Sequence, residues 1–109
     1  MSVGNLLKTT TTVAAANDAA TVSGLPSVGT VGIQITGTMT GTTIAFEATV
    51  DGSNWVALNC MPSLSATAAS TATAVGAWTV SSGGYAAVRA RCSVYASVSP
   101  VLTVRYVGS

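Results

Sequence analysis

The sequence predicts an all-β domain, an antiparallel β-sandwich of jelly-roll type with about seven or eight short strands. Three observations carry that expectation. Apolar and polar residues alternate with a period of two in several stretches, most plainly Val31, Ile33 and Ile35 against Gly32, Gln34 and Thr36, the pattern of a half-buried strand. Turn residues recur at short intervals, as in Asp51-Gly52-Ser53-Asn54 and Ser81-Ser82-Gly83-Gly84. No stretch carries the helical period needed for crossovers between parallel strands.

Residues 1–24 differ in pattern from the rest of the chain. Thr9-Thr10-Thr11-Thr12-Val13 and Thr21-Val22-Ser23-Gly24 flank an alanine-rich piece interrupted by Asn17-Asp18. The β-branched flanks and the central Asn-Asp predict strand, turn, strand, and the segment reads as an N-terminal arm ahead of a sandwich body spanning 25–109. Leu25-Pro26 and Gly29 mark the break between them. Residues 30–36 form the first strand of the body. After the Gly-bounded turn 37–42, Ile44, Phe46, Ala48 and Val50 alternate with Ala45, Glu47 and Thr49, a second strand expected to pair with the first as a hairpin. Asp51-Gly52-Ser53-Asn54 is a tight turn in which Gly52 takes the positive φ, and 55–58 continue as a third strand.

Cys60-Met61-Pro62 ends that strand, and residues 63–74 read as a Ser/Thr/Ala loop with one edge strand. Residues 77–80 are a short strand and 85–94 a long one. In the latter Val88, Ala90, Cys92 and Val94 share one face, while Ala87, Arg89, Arg91 and Ser93 share the face expected to meet solvent or a partner. Residues 101–107 close the domain, with Leu102, Val104 and Tyr106 opposite Thr103 and Arg105. With a single Phe in the chain, the bulk of Trp55 and Trp78 is expected in the core, whereas Tyr95, beside a loop, is the aromatic expected to be exposed.

One domain suffices for 109 residues, and a chain of this size buries enough apolar surface to fold without metals or obligatory disulfides. Only 6% of residues are charged, against roughly 25% in ordinary soluble domains. Four cations and three carboxylates provide no basic footprint for nucleic acid and no polybasic patch for a membrane surface. No apolar run approaches the ~18 to 20 residues of a membrane-spanning helix, and Leu6-Leu7 before Lys8 is too short for the core of a secretion signal. Synthesis in a cytoplasm is the resulting expectation. There Cys60 and Cys92 are expected to be free thiols, each a small buried hydrophobe.

Catalytic groupings do not assemble. Without a histidine there is no Ser-His or Cys-His pair and no usual zinc ligand set. Glu47 and Asp51, four residues apart along a strand, lie ~13 Å apart, beyond the ~5 to 9.5 Å of glycosidase carboxylate pairs. The oxygens of residues 51–54 fall short of a calcium loop, which needs a further bidentate carboxylate. No nucleotide-binding glycine motif is present. The expectation is a non-enzyme with no cofactor and no metal. The candidate interface residues are Arg89, Arg91 and Arg105, which converge on one strip if the last two strands pair, with Glu47 opposing them and Tyr95 as the exposed aromatic. For the arginines the alternatives are a cross-strand ion pair and a grip on an acidic partner. So small and neutral a β-rich surface, with few charges to guard strand edges, is best explained if much of it is covered in a homo-oligomer or a larger shell.

Three stretches, Thr30-Val31-Gly32-Ile33-Gln34-Ile35-Thr36-Gly37-Thr38, Phe46-Glu47-Ala48-Thr49-Val50-Asp51-Gly52-Ser53-Asn54-Trp55 and Gly84-Tyr85-Ala86-Ala87-Val88-Arg89-Ala90-Arg91-Cys92, together resemble a β-sandwich domain common in tailed-phage virion proteins. In that pattern a strand leads to an Asp-Gly-x-x-Trp turn, and a later Gly-Tyr segment precedes a strand of alternating arginines. The resemblance covers roughly residues 30–108; the first 24 residues lie outside it. It implies a capsid decoration, or cement, protein on the outer surface of a phage head, acting as a trimer and clamping subunits of the major capsid protein. The arm 1–24 is the candidate for strand addition to a neighbouring subunit. The alternative, from a different class, is a carbohydrate-binding or host-attachment module of a fibre or tail protein, stacking sugars on Tyr95 and one Trp.

Overall fold

The computed structural model describes residues 6–25, 29–65 and 67–108. The described chain contains no helix and ten strands: β1 (Leu6–Thr12), β2 (Ala19–Ser23), β3 (Gly29–Thr36), β4 (Thr43–Thr49), β5 (Val56–Ala57), β6 (Met61–Pro62), β7 (Thr71–Ala72), β8 (Gly76–Ser81), β9 (Ala87–Val94) and β10 (Val101–Gly108). They form two antiparallel sheets. The first runs β1-β10-β3-β8-β6; the second runs β2-β9-β4-β5, with β7 paired to β4 beside β5.

The period-two pattern explains which residues meet between the layers. From the first sheet come Val31, Ile33 and Ile35 of β3 and Leu102, Val104 and Tyr106 of β10; from the second come Ile44, Phe46 and Ala48 of β4 and Val88, Ala90 and Cys92 of β9, all buried. Removing such side chains from water is worth about 1.5–3 kcal/mol for each large one, so a one-residue slip in either sheet would expose the whole set. Trp78 of β8 reaches across to Phe46 of β4, with ring centroids 5.1 Å apart and planes tilted by 53°.

Three expectations need correction. The strands at 30–36 and 43–49 do not form a hairpin, because β3 and β4 belong to different sheets. The connection between them turns at Gly37 and Gly41, with φ of 92° and 73°, and buries Met39 at the end of the core. Apolar residues on both strands can face one another across the sandwich only if the chain changes layer here. For the same reason the last two long strands do not pair: β9 lies between β2 and β4, and β10 between β1 and β3.

The third correction concerns residues 1–24. Strand, turn, strand is what the described part of the segment forms, but its strands are integral to the body. β1 pairs with β10 over Leu6–Thr12 and β2 with β9 over Ala19–Ser23, and Val13, Ala20 and Val22 are buried in the common core. The segment's apolar residues are few but placed on the inner face, and that placement draws both strands into the sandwich. The remaining part of the predicted arm, residues 1–5, and Pro26 of the predicted break lie outside the described residues. The Thr9 hydroxyl donates to the Thr21 carbonyl at 2.8 Å and the Thr11 hydroxyl to the Ala19 carbonyl at 3.0 Å, so β1 stitches the margin of one sheet to the margin of the other.

Candidate functional site

The inward set on β4 and β9 forces Glu47, Arg89 and Arg91 onto the outer face of the second sheet. Glu47 lies directly opposite Arg89 in the β4–β9 ladder, and Arg91 is its diagonal neighbour opposite Ala45. Arg89 Nε donates to Glu47 Oε1 at 2.8 Å, Arg91 Nε to the same oxygen at 2.9 Å, and Arg91 Nη2 to Oε2 at 3.0 Å. A fourth bond runs from Arg91 Nη1 to Asn17 Oδ1, 2.8 Å long, and the Arg89 guanidinium sits 4.0 Å above the centre of the Trp55 ring. The Glu47 carboxyl is held below the ordinary carboxylate range, first by the hydrogen bond from Arg91 and against the opposing effect of burial, then by Arg89. The Arg91 guanidinium is correspondingly raised, chiefly by Glu47.

With Glu47 only 15% exposed and the two arginines 23% and 24%, the cluster is a cross-strand clamp. It ties β4 and β9 to the β1–β2 turn and to the start of β5. Trp55 is therefore not a core residue; it lies half-buried under Arg89 on the outer face. Its indole is spent as a cation–π partner, because the short β5 runs along the edge of β4 and leaves the preceding residue outside the layers.

Arg105 does not join this strip. It projects from the outer face of the first sheet, on the opposite side of the sandwich, and its direct cross-strand neighbour is Lys8 of β1. Both are exposed, and neither has a carboxylate partner among the described residues. Lys8 is not among the interface residues expected from the sequence, because only the β1–β10 register brings it to Arg105. Tyr95 is half-buried and packs against the core, since the chain leaves β9 and folds back over the end of the sandwich. All six aromatic side chains are buried or half-buried, so the exposed ring expected at Tyr95 is not found.

The other two carboxylates are spent on turns. Asp51 Oδ1 accepts from the Ser53 and Asn54 amides at 2.8 Å each and from the Thr49 hydroxyl at 3.0 Å, and Oδ2 accepts from Asn54 Nδ2 at 2.6 Å. These bonds push its acidity well beyond that of an ordinary aspartate, the Asn54 amide contributing most. Asp18 Oδ2 accepts from the Ala14 and Ala15 amides. Cys60 and Cys92 are buried free thiols; burial pushes the Cys60 thiol up to about 12. Among the described residues no three His, Cys, Asp or Glu side chains gather as metal ligands do.

No protein-family model matches the sequence, and no curated protein matches it by sequence. Solved structures do share its fold. The crystal structure of the SPBc2 prophage-derived protein YomS superposes with a TM-score of 0.73 at 15% identity, over 97% of this chain and 98% of that one. The PBSX exported protein XepA superposes with a TM-score of 0.71 at 12% identity over 97% of this chain, which spans 40% of XepA. At these identities the likeness is one of fold, shared over nearly the whole chain with a prophage-derived protein and an exported one.

Proposed function

We propose that this protein is a structural component of a tailed-phage particle, a decoration protein that binds the outer capsid surface as a homo-oligomer, with trimer as the expected state, and stabilises the lattice of the major capsid protein. The observation that carries this reading is the end-to-end match of the fold to YomS, a prophage-derived protein of nearly the same extent. The surface supports it. Arg89, Arg91 and Glu47 of the clamp and both turn aspartates serve internal bonds, leaving an outside made mainly of hydroxyls, backbone and small apolar groups. Exposed Val50, Val56, Leu64 and Val75 add contact area that water does not reward. A ligand that binds only the assembled shell adds its binding free energy to the shell's stability.

A sugar-binding role draws no support from the geometry, since stacking needs an open aromatic face and Trp78 is in the core while Arg89 covers one face of Trp55. Native mass spectrometry over a dilution series, followed by sedimentation of purified phage heads with the protein, tests the proposal. A persistent oligomer that co-sediments with heads and raises their thermal disruption temperature is expected. A stable monomer that leaves head stability unchanged overturns it.

A further inference from the structure

The outer face of the first sheet carries a shallow groove of about 590 Å³ that crosses β1, β10, β3 and β8. Two adjacent cross-strand rows form it. One runs Lys8, Arg105, Gly32, Thr79 and the next Thr10, Thr103, Gln34, Ala77. We propose that this groove is a docking face for an acidic segment of a partner protein, whose carboxylate side chains are held by Lys8 and Arg105 above the floor left open at Gly32.

Charge is the first argument. Lys8 and Arg105 stand directly opposite one another, an arrangement that like charges destabilise in an isolated sheet, and the side-chain carboxylates of the described residues are all bound elsewhere. In a chain with three such carboxylates, leaving both cations of one face unmatched among the described residues creates a site that an external anion completes. The second argument is independent of charge. Gly32 lies in the middle of β3, the central strand of its sheet; it is not among the glycines with positive φ, and a Cβ atom added to it would meet nothing within 4 Å. Neither backbone conformation nor packing requires glycine there. Glycine in a strand interior weakens the strand and marks places where a ligand or another backbone comes close.

The lining selects the class of anion. Two cations are too few to track a phosphate backbone, and no open aromatic face lines the groove to stack a base or a sugar, since its one ring, Trp78, is buried. The forked guanidinium of Arg105 suits a carboxylate accepted in bidentate fashion, and the hydroxyls of Thr10, Thr79 and Thr103 and the amide of Gln34 suit the peptide groups beside it. The inference deepens the capsid reading by naming the gripping face, and rests on it only for the identity of the partner.

The test uses the intact protein and a fluorescently labelled oligo-glutamate peptide, with binding read by anisotropy and mapped by amide NMR. Salt-sensitive binding that shifts the amides of Lys8, Gly32, Gln34 and Arg105 and spares Arg89 and Arg91 is expected. Gly32→Val fills the floor of the groove and should abolish binding while the protein melts no earlier than the wild type. Lys8→Gln with Arg105→Gln should weaken binding roughly ten-fold, also without loss of stability. Undiminished binding in both variants, or shifts centred on Arg89 and Arg91, overturns the proposal; tighter binding of inorganic polyphosphate than of the peptide overturns the assignment to protein carboxylates. Head binding by the Gly32→Val protein at wild-type strength overturns the groove as the gripping face, whereas peptide binding without any head binding overturns the capsid role alone.

Discussion

At Glu47 a single carboxylate answers two guanidinium groups, and the arrangement is worth more as a clamp than as a receptor. Removing its charge leaves Arg89 and Arg91 without their shared acceptor in a part-buried setting. Glu47→Gln is therefore expected to destabilise the protein by about 1–2 kcal/mol, seen as a lower urea midpoint with an unchanged slope. The two arginines are legible in the sequence as an outward-facing pair, because alternation along 87–94 places them opposite Val88, Ala90 and Cys92. Their partners are legible only in part. Alternation places Glu47 on the outer face of its strand, but the β4–β9 pairing that sets it against the arginines is not in that pattern. Asn17 and Trp55 reach the cluster through the β1–β2 turn and the edge of β4, contacts that no local spacing announces. Arg105 joins the pair only on the assumption that successive strands pair, and a sandwich breaks that assumption each time the chain changes layer.

Elements with strong alternation, β3, β4, β9 and β10, can be read directly, since a half-buried strand must repeat its apolar face every second residue. The two-residue strands are read less sharply, because so short a pairing leaves no periodic trace. β5 lies inside the longer strand expected at 55–58 and β7 inside the stretch expected to hold one edge strand, while β6 falls where Cys60-Met61-Pro62 suggests only a strand end. Partner choice is harder still. Residues 37–42 look like a hairpin turn, yet buried Met39 makes them a bridge between layers. Glycine explains another feature that alternation does not. A side chain added at Gly29 would collide with the Val107 carbonyl and the Tyr106 ring, and one at Gly108 with the Tyr106 phenol; the backbone passes so close on both sides that the largest fully buried side chain is held between two positions without Cβ atoms. Gly108→Ala is expected to cost about 1–3 kcal/mol through overpacking, measurable as a drop in melting temperature.

For the molecule as a whole, stability should depend on acid in one direction. Glu47 and Asp51 both have carboxyls more acidic when folded than their ordinary values of 4.5 and 3.8. Groups depressed in this way stabilise the fold fully above their unfolded values and lose that contribution as pH falls through the folded ones. With no histidine in the chain, the melting temperature is expected to be level from neutral pH down to about 5 and to fall below about 4; a scan of melting temperature against pH checks this, and a fall beginning near about pH 6.5, where histidine titrates, would contradict it. The threonine bonds from β1 to the carbonyls of β2 have a different consequence. Fibrous growth by strand addition needs an open, extended margin at each end of a sheet, so that every newcomer leaves a fresh one behind. In the second sheet one margin is taken up by those hydroxyls and the other is divided between strands two residues long; in the first sheet the margin opposite β1 is likewise two residues long. Edge pairing on this body thus ends where it starts. The hydroxyls that bring this about have no charge to be screened by salt and none to be titrated, so this protection of the edges holds across ionic strength and pH.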